Sequence, residues 1–188
     1  MRHKYNSQLR DFHNIVLIGP MGAGKTSIGR ALARELGWKF YDSDHMIEEC
    51  AGVDLLWIYD LEGEDSFHKW EQKVIAELTQ KPNIILATGG STVIVPENRE
   101  AILRNGLIVY LSISLDDQLI RTGYGKKRPL SQDLEERRKI LKRLYSEYVP
   151  LYEKLADIVF NTDSKTSHTT IAALVKLIHD KAPHFKFD

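Results

Sequence analysis

Gly19-Pro-Met-Gly-Ala-Gly-Lys25-Thr26 fits the pattern G-x-x-x-x-G-K-[ST]. Glycines let backbone N–H groups converge on phosphate oxygens with no Cβ in the way. A helix opening at this loop adds positive potential at its N-terminus. Lys25 is spaced to reach the outer phosphates of a nucleotide, and the Thr26 hydroxyl to ligate Mg²⁺. The expected nucleotide contacts here are Gly22, Ala23, Gly24, Lys25, Thr26 and Ser27. Such a loop fixes a nucleotide ligand but not the phosphoryl acceptor, which is left as water, a nucleotide or a small molecule.

A carboxylate on the metal side ordinarily ends an apolar strand. The third apolar run here ends instead in Thr88-Gly89-Gly90. Asp42-Ser43-Asp44 is the natural supplier. Asp42 would hold Mg²⁺ through water, and Asp44 would accept the proton of an attacking hydroxyl. Capping the helix that starts at His45 is the structural alternative for Asp44. Gly123 to Leu130 reads Gly-Tyr-Gly-Lys-Lys-Arg-Pro-Leu. Its glycines and cations suit a lid that closes over transferring phosphate and excludes water. Arg128, with its fork of donors, is the candidate for stabilising the transferring group. Taken alone, the same residues also read as a solvated basic loop.

These residues need elements to hold them. Short apolar runs predict strands at Ile15–Ile18, Lys39–Tyr41, Ile84–Ala87, Leu107–Leu111 and Ile158–Phe160. Helical spacing predicts helices over Lys25–Leu36, Ile47–Leu78 (broken near Gly52 and Gly63), Pro96–Arg104, Leu115–Arg121, Leu134–Leu155 and Thr170–His179. Pro150 falls late in one of them, to be tolerated or to kink it. Alternation of strand and helix implies an α/β fold with a parallel sheet covered on both faces. Ligands in such sheets lie beyond the carboxyl ends of the strands. Gly19, Asp42 and Thr88-Gly89-Gly90 are those ends.

The chain has 188 residues, 26 basic and 26 acidic, for a formal net charge of zero. The length suits a single domain over 1–188. Balanced charge excludes nucleic-acid binding by bulk attraction, though not a local basic pocket. Cys50 is the single cysteine, so no intramolecular disulfide forms, and it is expected to be inert packing. The histidines show no zinc-ligand spacing. No apolar run approaches the ~20 residues of a membrane helix. Residues 1–13 lack the apolar core of a signal peptide. A cytoplasmic protein without membrane or nucleic-acid partners is expected, with frayed ends at 1–13 and 183–188. Trp38, Trp57 and Trp70 are read as packing residues.

GPMGAGKTSIG, FYDSD, the DLEGE…F…E stretch from Asp60 to Glu71, ILATGG, KKRPL and PLYEKLAD together resemble the shikimate kinases. The matching segments span Asn14 to about Asp163. The resemblance implies a three-layer phosphate-loop kinase fold, with a five-stranded parallel sheet ordered 2-3-1-4-5. It implies ATP-dependent phosphorylation of the 3-hydroxyl of shikimate, with Mg²⁺, in aromatic amino-acid biosynthesis, by a monomer. Helices over about 44–72 would bind the acceptor, and a lid would span about 122–134. Arg121 would stack on adenine, with the Asp163–Lys165 segment beside it. Lys25 and Arg128 would neutralise the transferring phosphate, and Thr26 and Asp42 would serve Mg²⁺. Asp44 would hold the acceptor hydroxyl, and Gly89 and Gly90 would offer it their N–H groups.

Three positions depart from the family pattern. His68 follows Phe67 where the pattern has arginine, Ser91 replaces the third glycine of a triplet, and Tyr148 stands where a second arginine precedes the N-P-L-Y-type segment. In the family those two arginines grip the carboxylate of shikimate, a bidentate contact that is strong and geometrically demanding. His68 and Tyr148 can each donate one hydrogen bond in their place. Glu71, whose family partner is the missing arginine, is expected to be left without it. Three accounts stay open: a shikimate kinase with weaker acceptor contacts, a kinase for a related hydroxylated ring whose carboxylate is absent or differently placed, and a nucleotide-binding module without catalysis.

Overall fold

β-Branched and leucine-rich runs form the inner strands here because both faces of a parallel sheet are covered, so nearly every position in them is buried. In the computed structural model, residues 12–123, 131, 133–163 and 167–185 are described. Five strands form: β1 (Asn14–Ile18), β2 (Lys39–Asp42), β3 (Ile84–Ala87), β4 (Gly106–Ser112) and β5 (Ile158–Asn161). All pairings are parallel and the order is β2-β3-β1-β4-β5, as the family resemblance implies. Central β1 is paired on both sides, with Leu17 opposite Ala87 of β3 and Val109 of β4.

Alternate β1 side chains feed two cores, as the two-residue period of a strand requires. Ile15 and Leu17 pack with Leu32, Leu174 and Ile178, contributed by α1 (Lys25–Glu35) and the closing helix α8 (Ser167–Lys181). Val16 and Ile18 pack on the opposite face with Phe67, Ile75, Ile102 and Tyr152. Those come from α4 (Glu64–Leu78), α5 (Pro96–Asn105) and α7 (Leu134–Leu155). Helices α2 (Ser43–Ala51) and α3 (Leu55–Trp57) lead into α4 through a π-helical turn, Ile58–Glu62. These elements occupy the region expected to bind the acceptor. Breaks fall at Gly52 and Gly63, both with positive φ. Helix α6 (Leu115–Gly123) follows β4, and α7 runs through Pro150 as one helix.

Several expectations are corrected. Thr122 and Gly123 are the last residues of α6, and Asp133 caps α7 by accepting from the Glu136 N–H, so the lid boundaries at 122 and 134 fall inside or against helices. Residues 124–130 and 132 lie outside the described residues. The ends do not fray at their inner limits. Phe12 and Phe185 are buried, His13 exchanges backbone hydrogen bonds with Asn105 and Asn83, and His184 Nε2 lies 3.0 Å from Phe12 O. Burial of two aromatic rings outweighs the ordering cost of those few residues. Cys50 is exposed on α2 rather than packed. Trp57 is exposed too, whereas Trp38 packs edge-on against Phe185. No helix among the described residues is long and apolar enough to cross a membrane.

Candidate active site

The phosphate loop joins β1 to α1 and is shaped by its glycines. Gly19 has φ +142°, and a Cβ there would lie 2.5 Å from Leu111 O, so no other residue fits without moving β4. Gly24 leads into α1 in the left-handed conformation, where other side chains are strained. Lys25, the first residue of α1, donates from Nζ to Gly19 O at 2.7 Å and Pro20 O at 2.9 Å. The ammonium is therefore folded back over the loop that would cradle phosphate. Burial lowers its pKa to about 8, while the Asp44 and Asp42 carboxylates push it upward.

Asp42 closes β2 beside this loop. Its Oδ2 accepts from the Thr26 hydroxyl at 2.7 Å. A hydroxyl and a carboxylate brought together next to a phosphate loop form the hard-oxygen pair that suits Mg²⁺. Asp42 also caps α2, its Oδ1 accepting from the Asp44 N–H at 3.2 Å. The capping role weighed for Asp44 thus belongs to Asp42, because α2 begins at Ser43 rather than His45. Asp44 sits in the first turn of α2, where the helix N-terminus favours its ionised form.

Asp44 reaches the glycine turn after β3. A Cβ on Gly89 would stand 2.8 Å from Asp44 Oδ1 and 3.3 Å from Glu71 Oε1, so a side chain there would collide with the base. The Gly89 N–H donates to Ser43 Oγ at 3.0 Å. This bond ties α2 to the turn after β3. Gly90 is gripped from α7, where the Tyr152 hydroxyl donates to Gly90 O at 2.6 Å. Burial pushes the Tyr152 phenol well above its ordinary range, so it remains a donor at all working pH values.

Glu71 is fully buried beneath this turn. It accepts from the Thr92 hydroxyl at 2.6 Å and from Asn98 Nδ2 at 3.0 Å. His68 Nδ1 stands 3.5 Å from its second oxygen, an ion-pair separation. In place of an arginine, this carboxylate is partnered by Thr92 and Asn98. Burial raises its pKa, and the contacts with Thr92, His68 and Asn98 work against that rise. His68 Nε2 lies 3.6 Å from Glu64 Oε1. Tyr148, one turn before Tyr152 on α7, is half-buried. Its phenol is pushed up by burial and by the Glu147 and Glu64 carboxylates.

On the other flank, Arg121 of α6 donates to Gly22 O at 3.3 Å and to Thr162 O at 2.8 Å. It spans the phosphate loop and the segment after β5, which suits a base platform. Gln118, one turn earlier and buried, donates from Nε2 to Met21 O at 3.0 Å. Arg128 and Lys165 lie outside the described residues. Structure brings together Lys25, Thr26, Asp42, Asp44, Gly89 and Gly90, with His68 and Tyr148 on the adjoining acceptor side. Sequence reasoning missed Ser43, Thr92, Asn98, Gln118 and Tyr152. Tyr152 was detectable from its i, i+4 relation to Tyr148 and Gln118 from its i, i+3 relation to Arg121. The other three act across the fold and left no local signal.

A family model described as shikimate kinase matches residues 21–179. The chain belongs to the shikimate kinase family. A shikimate kinase of Legionella pneumophila (strain Corby) is 54% identical over 168 residues, covering 88% of this chain and 94% of the relative. One from Actinobacillus succinogenes is 47% identical over 165 residues, covering 88% and 94%. Among solved structures, a shikimate kinase from Acinetobacter baumannii in complex with shikimate superposes with a TM-score of 0.85 at 39% identity, covering 93% of this chain and 98% of that one. Membership in the shikimate kinase family accounts for the phosphate loop, the sheet order and the acidic turn after β2. It does not by itself account for His68 and Tyr148.

Proposed function

We propose that this chain transfers the γ-phosphoryl group of ATP to the 3-hydroxyl of shikimate. The observation that supports it most directly is the meeting of Lys25, Asp42 and Asp44 at the carboxyl edge of the sheet, with Asp44 close against Gly89. Asp44 takes the proton of the acceptor hydroxyl as its oxygen attacks phosphorus. An O–P bond forms to the acceptor and the bond from phosphorus to the β-phosphate oxygen breaks, leaving ADP. Lys25 leaves its two carbonyl partners and pairs with the β- and γ-phosphates, matching charge that moves toward ADP. Thr26 and Asp42 would hold Mg²⁺, which would supply neutralisation of phosphate charge. Arg128 is assigned to the transferring group and Arg121 to the adenine face, with Lys165 beside it. Aromatic amino-acid biosynthesis, a cytoplasmic location and a monomeric state belong to the same proposal.

The test is ADP release coupled to acceptor addition, with the product read by ³¹P NMR. ADP formation that depends on shikimate, together with a new phosphomonoester signal, is expected. Lys25→Ala should lower kcat by about 1,000-fold or more, since such electrostatic groups act chiefly in the transition state. Retained transfer in that variant would overturn the phosphate-loop assignment. ATP binding without turnover of any alcohol would favour the non-catalytic module instead.

A further inference from the structure

The acceptor side of this site is acidic. Asp44 and Glu71 both border Gly89, and Glu64 stands one turn before His68 on α4. His68 lies between Glu64 and Glu71, with Nε2 3.6 Å from one carboxylate and Nδ1 3.5 Å from the other. Each ring nitrogen thus lies within ion-pair distance of a carboxylate of the protein, and Nδ1 is buried without a hydrogen-bond partner. The ring is largely covered, so it has little room to reorient. Tyr148 faces the same region from α7, near enough to Glu64 for that carboxylate to push its phenol upward. Tyr148 is therefore neutral at working pH. Arg143 acts on Tyr148 in the opposite sense, but it is an exposed residue and shares that neighbourhood with Glu147 and Glu64.

Charge decides what this surface admits. A carboxylate placed between Tyr148 and α4 approaches Glu64, whose ion-pair partner among the described residues is His68, with exposed Arg143 as the cation acting on Tyr148, and like charges at close range cost affinity. A hydroxyl meets no such penalty. It can donate to a carboxylate and exchange hydrogen bonds with Tyr148. The tightly satisfied Glu71, held by Thr92 and Asn98, keeps the floor of the site in one geometry for this purpose.

We infer that this site selects its acceptor by hydroxyl groups rather than by a carboxylate, so that its substrate class extends to neutral carbocyclic polyols with the ring and hydroxyl arrangement of shikimate. The inference rests on the phosphoryl-transfer reading above. The step is unchanged: the ring oxygen bonds to phosphorus, ADP leaves, and the hydroxyl proton passes to Asp44.

The experiment compares shikimate, its methyl ester and its carboxamide as acceptors for the full chain with MgATP, by coupled ADP release and ³¹P NMR. The neutral compounds should show kcat/KM within about 5-fold of the acid. A preference for the acid of about 100-fold or more would overturn the inference while leaving shikimate phosphorylation intact. No phosphorylation of any of the three, with ATP binding retained by calorimetry, would overturn both readings. His68→Arg provides an independent arm. With a fixed cation added beside Tyr148, the ratio of acid to ester should rise by about 10-fold or more. An unchanged ratio in a folded variant that binds ATP would count against His68 as the residue that sets this selectivity.

Discussion

At the scale of single residues, the phosphate side of the site is written locally and the acceptor side is not. Lys25, Thr26 and Asp42 were legible because a glycine loop between strand and helix, followed by an acidic turn, has few other uses. Glu71 was not, because Thr92 and Asn98 lie 21 and 27 positions away and only the fold delivers them. The bond from the Gly89 N–H to Ser43, 46 positions away, was hidden for the same reason. Lys25 carries a prediction of its own. Burial holds its folded-state pKa near 8, against 10.5 for an unperturbed lysine. ATP binds the ammonium form, so ATP affinity should be flat below pH 7 and fall as pH rises through about 8. The stability sign is opposite. Between the two pKa values the unfolded chain holds more protons, so this group makes the ligand-free protein more stable as pH rises through that window, and its burial penalty is full below it. Lys25→Met removes the penalty. At pH 7 it should raise ligand-free stability by about 1–3 kcal/mol, measured by denaturant unfolding, while turnover is lost. A destabilised Lys25→Met protein would show that the carbonyl contacts of Lys25 outweigh its desolvation.

At the scale of elements, strands were legible to within one residue because apolar runs and breaks agree along the chain, whereas α2 and α8 start four and three residues earlier than the apolar period implied. Strand order came from family resemblance, since hydropathy states which runs are buried and not which lie side by side. What periodicity could not reveal is that α6 braces the phosphate loop. Gln118 is buried, donates to Met21 O, and its neighbours Arg121 and Thr122 close over Gly22. Helix α6 therefore fixes the loop from the side opposite α1, and it ends where the expected lid begins. Gln118→Leu should leave Met21 O without its donor at a cost of about 1–2 kcal/mol. The effect should fall on ATP, with its kcat/KM reduced roughly 5- to 30-fold while KM for the acceptor barely moves. Equal changes in both KM values would mean that Gln118 supports the fold in general and not the loop in particular.

At the scale of the whole molecule, the segments around Phe12 and Phe185 meet away from the chemistry. Phe12 lies two residues before β1, and Trp38 directly precedes β2, so both lie near the amino ends of parallel strands. Ligands sit beyond the carboxyl ends. Phe185 follows α8 and lays its ring edge-on to Trp38 at 5.0 Å, while His184 stacks on Phe12 at 6.3 Å and approaches its carbonyl. This contact joins residues more than 170 positions apart, so no window of sequence could display it, and charged, polar flanks made both ends look frayed. The clasp belongs to the core formed with β1, α1 and α8. Phe185→Ala should therefore destabilise the protein by about 3 kcal/mol, as for other buried aromatic truncations. For a chain of this size that is a fall in Tm of roughly 6–12 °C. Because the clasp and the phosphate loop lie at opposite ends of β1, kcat and both KM values at 25 °C should stay within about 2-fold of the parent. A Tm within about 2 °C of the parent would mean the ends add nothing to the core, and a matching loss of kcat would mean that the clasp is coupled to the loop through β1.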